Sequence, residues 1–215
     1  MNITHAVREE IEGDKLEAIF NRQKELMSKY HDIEKRSGLL QTEDCPVNLD
    51  DKRGQARIKD FSWRVMEELG EALDAYLKHD FEHYREELID GLHFLVELTI
   101  LSGTEPKDLM FEKESGNCDM LDTLCIINDF YQEGRTLEEI ISLFVMDIGM
   151  MCNCLKNKPW KQTNMITDKE NFLNQLKLVW SDYITILTSQ MHSGIIAETY
   201  LRKSQVNKFR QRSGY

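Results

Sequence analysis

What most constrains this chain is its scarcity of helix breakers. Its 215 residues contain three prolines, Pro46, Pro106 and Pro159, and a proline inside a helix removes a donor and clashes with the turn before it. Between the prolines, apolar residues recur at helical spacing, and the alternation that marks half-buried strands is scarce. Hydrophobic residues make up 41% of the chain and charged residues 30%, which suits a globular core rather than a disordered chain. The expected fold class is all-α, a multi-helix bundle built as one domain over residues 1–215.

Leu16, Ile19, Phe20, Leu26 and Tyr30 place a first helix at 7–36. Residues 37–54 lose the period and collect Gly, Pro, Asn and Asp, which reads as a loop. Helical pattern resumes near Ala56 and runs to about Lys78. Asp80 then serves as N-cap for a helix from Phe81 to Leu101, closed by Ser102 and Gly103. Thr136 with Glu139, and Thr167 with Glu170, fit capping boxes that open helices at 137–156 and 168–190. A last helix runs from Ile195 to Phe209. MEELGEALDA (66–75) can be laid on VMDIGMMCNC (145–154), so the segment 136–190 reads either as a degenerate copy of the preceding helix pair or as chance similarity.

Within the middle helices, acids recur as E-x-x-E (Glu68, Glu71) and then as E-x-x-D (Glu87, Asp90). Val65, Leu69, Ala72, Leu73 and Tyr76 form the apolar stripe of one helix, and Tyr84, Leu88, Leu92, Leu95 and Leu98 that of the next. Both acidic pairs lie along an edge of these stripes, and the short connection makes the helices antiparallel neighbours. Like charges at a shared seam repel unless a cation lies between them. Oxygen donors without sulfur suit a hard ion, Mg²⁺ or Mn²⁺, rather than zinc. The plainer reading is that charged i,i+3 pairs occur on any solvated helix, as Glu67, Glu82 and Glu86 do. A ferritin-like di-metal site would need E-x-x-H motifs, and the sequence has none; Asp80-x-x-His83 and Asp90-x-x-His93 come nearest. His93 is expected on a helix flank, making a hydrogen bond.

The net charge of −11 argues against a general nucleic-acid binder, whose affinity rests on a basic surface. The end of the chain reverses this charge: after Glu198 no acid appears, while Arg202, Lys203, Lys208, Arg210 and Arg212 do. Lys203, Asn207 and Arg210 share one helical face, suited to phosphate oxygens, although a solvated basic tail has the same composition. Five cysteines without C-x-x-C spacing point to free thiols in a reducing cytoplasm, of a host cell if the protein is viral. No apolar run is long enough to span a bilayer, so no membrane association is expected.

These motifs resemble the all-α NTP pyrophosphohydrolase superfamily, which includes MazG-type enzymes and the dimeric dUTPases. The tail, Tyr200-x-x-Lys203-x-x-x-Asn207-x-x-Arg210-x-x-x-Gly214-Tyr215, is similar to the closing motif of dimeric dUTPases and of phage dCTP pyrophosphatases. Gln23 resembles the glutamine of that family's first motif. The resemblance implies that Glu68, Glu71, Glu87 and Asp90 bind Mg²⁺, with Glu71 orienting the attacking water. It further implies that Lys203 and Arg210 hold phosphates, that Asn207 and Tyr215 complete the closing tail, and that Gln23 faces the base. Two departures concern the base end. Met27 stands where the family has asparagine, and an aromatic before E-x-x-E is offered by Trp63 or by Phe61.

The function expected is Mg²⁺-dependent hydrolysis of dUTP to dUMP, with dUDP as a further candidate substrate, performed by a homodimer. The alternatives are a pyrophosphohydrolase for dCTP or another dNTP, a non-catalytic nucleotide-binding regulator with the same fold, and a helical interaction protein whose acids are surface.

Overall fold

The computed structural model describes residues 6–110, 118–131, 134–158 and 160–213. Seven α-helices order these residues: α1 (Lys15–Ser37), α2 (Lys52–Leu77), α3 (Phe81–Leu101), α4 (Met120–Tyr131), α5 (Leu137–Cys154), α6 (Lys169–Thr188) and α7 (Ser193–Arg212). A short 3₁₀ helix spans Pro106–Leu109. The fold is all-α, as the sequence predicts, and no helix among the described residues is long and apolar enough to cross a membrane.

α2 and α3 form an antiparallel hairpin. His79 adopts φ 60° in the connection, and Asp80 caps α3 by accepting from the His83 amide at 3.1 Å. The rings pair along the hairpin as antiparallel partners, Tyr76 with Tyr84 and Phe61 with Phe94. α5 and α6 pair the same way: Phe144 meets Tyr183, and farther along α5 the Asn171 amide reaches the Cys154 sulfur. The two hairpins join where Tyr183 and Trp180 of α6 donate to Leu88 O and Thr99 Oγ1 of α3. One continuous apolar core runs through all seven helices, with Trp180, Tyr183, Tyr200, Phe20 and Phe61 fully buried.

Helix ends shift by a few residues from the sequence reading, with α2 starting at Lys52 and α7 spanning Ser193–Arg212, and three larger departures have a physical cause. The first helix starts at Lys15, not at residue 7, because Gly13 turns the chain at φ 82° and Asp14 caps the helix from the amides of Leu16 and Glu17. The capping box expected at Thr167 is replaced by a cap at Asp168, which accepts from Asn171 N. The Thr167 hydroxyl is already committed to Leu49 O and accepts from Gln55. Helix α4 was not anticipated. Its start is built by two aspartates that cap across helices: Asp119 accepts from Leu121 N and Lys15 N, while Asp14 accepts from Met120 N. The capping box of Thr136 and Glu139 forms as expected.

Candidate active site

The acids sit midway along the α2–α3 hairpin. Carboxylate oxygens of Glu68, Glu71 and Glu87 all lie within 4.8 Å of one another. Glu68 is half-buried, Glu71 exposed and Glu87 buried. Such close approach depends on Gly91, beside Asp90. A Cβ there would clash with the Tyr183 hydroxyl at 2.1 Å and would just touch Glu68 Cβ at 3.4 Å, so a larger residue would push α3 away from α6.

The electrostatics follow from that crowding. Burial first, then a hydrogen bond with Glu87 and the negative charges of Asp90, Glu87 and Glu71, push Glu68 up to about 8. Carboxylates held at such distances keep a proton at neutral pH unless a cation replaces it. Hard oxygen donors with no thiolate fit a divalent ion of the Mg²⁺ type. His83 Nδ1 lies 3.1 Å from Glu87 Oε1, one turn earlier on α3.

Asp90 stands apart from this trio. Lys203 Nζ, from α7, lies 2.7 Å from Asp90 Oδ2 and 3.7 Å from Glu86 Oε2. Burial raises the Asp90 carboxyl, and the attraction and hydrogen bond of Lys203 offset part of that rise. Lys203 is itself buried. Glu86, expected on the wet face, is instead partly buried beside it.

A cavity of about 430 Å³ opens against these acids, bounded by Glu68 and Asp90, by Asn207 and Arg210 of α7, and by Gln23 and His93. Its size falls in the range of about 300–1,000 Å³ usual for small-molecule sites. Tyr30 and Phe94 supply aromatic wall. Both ends of the Gln23 amide have partners: Nε2 donates to Glu97 at 2.8 Å, and Oε1 accepts from the Tyr200 hydroxyl at 2.7 Å. His93 Nδ1 lies 2.9 Å from the same oxygen, and its ring stacks on Tyr200 at 3.8 Å. Burial, then the Lys203 charge, depress His93 to about 3, so the ring is neutral. Burial and the nearby Glu34 raise Glu97 to about 7, against the opposing pull of Gln23, Arg57 and Arg64.

The structure thus brings Gln23, Glu68, Asp90, Asn207 and Arg210 to one cavity, with Glu71 and Glu87 clustered on Glu68 and Lys203 on Asp90. Phe61 is buried behind Phe94, its ring under the Arg64 guanidinium at 4.5 Å. Trp63 is 65% exposed, and its indole donates to Glu67 at 2.8 Å. Met27 borders a neighbouring cavity of about 350 Å³, beside Arg57 and Cys45. Tyr215 lies outside the described residues. Sequence reasoning missed Phe94 and Glu97 and gave Tyr200 no role. With His93, which is buried rather than on a helix flank, Phe94 and Glu97 follow Asp90 at i+3, i+4 and i+7 on α3, a spacing that extends the acidic face toward the cavity.

A dUTPase family model matches residues 15–215. No curated protein and no solved structure matches the chain.

Proposed function

Because the chain belongs to the all-α dUTPase family, a family of nucleoside triphosphate pyrophosphohydrolases, we propose that it hydrolyses dUTP to dUMP and pyrophosphate with Mg²⁺. The observation that carries this reading is the shared cavity. A trio of carboxylates within 4.8 Å and the Asn207–Arg210 face of α7 converge on one space.

Glu68, Glu71, Glu87 and Asp90 would hold Mg²⁺ or Mn²⁺. Bound there, the ion would lower the pKa of a water and neutralise charge on phosphate oxygens. Glu71, the exposed member of the set, orients the water that attacks phosphorus. Arg210 supplies a planar fork of donors to the polyphosphate, Lys203 a point charge, and Asn207 a neutral donor. Tyr215 completes the tail motif, and closure of that tail over the nucleotide would exclude bulk water from the reacting phosphate. Gln23 faces the base, with Phe94 as the aromatic neighbour and Phe61 packed behind it rather than against the nucleotide. The enzyme works as a homodimer in the cytoplasm and controls the supply of dUTP to DNA synthesis.

The test is a panel of dNTPs, dUDP and ribonucleotides, each assayed for pyrophosphate or phosphate release in Mg²⁺ and again in EDTA. Fastest pyrophosphate release from dUTP, abolished by EDTA, is expected. Preferred turnover of dCTP would move the base assignment. Tight dNTP binding without turnover would make the chain a nucleotide-binding regulator.

A further inference from the structure

We propose that Glu86 is a positioning residue that receives Lys203 when a divalent cation takes Asp90, so that in the nucleotide-free site an ammonium stands in for a metal at the fourth acid. The inference rests on the metal reading above. Glu86 and Asp90 are one turn apart on α3, and Lys203 reaches in from α7 between them. Its Nζ is in contact with Asp90 at 2.7 Å and only an ångström farther, 3.7 Å, from Glu86. Asp90 is also the acid missing from the trio that already lies within 4.8 Å. Lys203 therefore holds the ligand that would complete the set.

A cation that claims Asp90 through Oδ2 takes the place of this ammonium. The Lys203 side chain is 8% exposed, and a buried charge stripped of its partner is strongly unfavourable. Glu86 removes that obstacle. Lysine carries a compact point charge on a flexible stem, so it can pass between carboxylates one helical turn apart without a change of backbone. After the exchange Lys203 remains on the face it shares with Asn207 and Arg210, ready for phosphate oxygens. Remote charge alone would act differently. It would weaken metal binding whenever Glu86 is neutralised, whether or not Lys203 is present.

The experiment titrates the nucleotide-free full chain with Mn²⁺, reading free ion by electron paramagnetic resonance, in wild type, Glu86→Gln, Lys203→Met and the double variant. Lys203→Gln serves as a second background if the methionine variant does not fold. Glu86→Gln should weaken Mn²⁺ binding about threefold to tenfold in the wild-type background. With Lys203 replaced, the same change should alter affinity by less than about twofold, the two mutations being coupled. An equal loss in both backgrounds, or no loss in wild type, overturns the proposal while the metal site stands. Absence of Mn²⁺ binding in wild type overturns the metal reading and this inference with it.

Discussion

Gln23 and Glu97, 74 positions apart, are joined by a hydrogen bond of 2.8 Å that is wholly buried. The same glutamine accepts from Tyr200 and contacts His93, so a single carboxamide ties α1, α3 and α7 together beside the cavity. Replacing Gln23 with leucine would leave buried polar atoms of Glu97, Tyr200 and His93 without this partner. Each orphaned group costs about 1–3 kcal/mol. Urea denaturation should therefore show Gln23→Leu destabilised by roughly 2–4 kcal/mol; a loss under about 0.5 kcal/mol, the level of an ordinary surface change, would mean the network is not maintained in solution.

The metal-free protein should lose stability as pH rises. Glu68 and Glu97 have folded values raised to about 8 and about 7 from a common 4.5. Their favourable contribution is complete below the unfolded value and is lost as pH climbs through the folded ones. In EDTA the melting temperature should fall between pH 5 and pH 8.5. Added Mg²⁺ should raise it more at pH 8.5 than at pH 6, because the ion replaces the proton on Glu68. Thermal melts across that range check both. A metal-free melting temperature that rises with pH would contradict the burial of these acids.

Gly91 is where packing and chemistry meet. Gly91→Ala puts a methyl 2.1 Å from the Tyr183 hydroxyl, which also donates to Leu88 O at 2.8 Å. Overpacking of this kind costs about 1–3 kcal/mol, and the displaced α3 should carry Asp90 with it. Adding Tyr183→Phe removes the clashing atom, leaving the ring carbon at 3.1 Å. Chemical denaturation of Gly91→Ala and of the double variant should show at least half the lost stability returning. Strict additivity would place the strain elsewhere.

The parts legible in the sequence were local. Proline scarcity and helical spacing gave the fold class, and Asp80 and Thr136 marked helix starts that the backbone confirms. The two acidic pairs were visible because an i,i+3 pair keeps its face in any helix. Cross-chain partnerships carry no such mark. The start of α4 depends on Asp14, 106 positions from the amide it caps. Thr167 looked like a cap until its hydroxyl found Leu49, 118 positions away. Tyr200 meets Gln23 across 177 positions, and neither residue announces the other. Lys203 read either as a phosphate ligand or as part of a solvated basic tail, and its burial on Asp90 was not visible in the sequence.

In the proposed function the four acids work as one hydrolytic centre with Glu71 at its open edge. The most direct measurement is the rate of pyrophosphate release from dUTP in Mg²⁺ by Glu71→Gln. Because Glu71 is exposed, this variant should melt at or above the wild-type temperature in EDTA, as one repelling charge is gone. Its turnover should fall by about 100-fold or more, the usual loss when a positioned base is removed. Turnover within a few-fold of wild type would mean that Glu71 does not orient the attacking water.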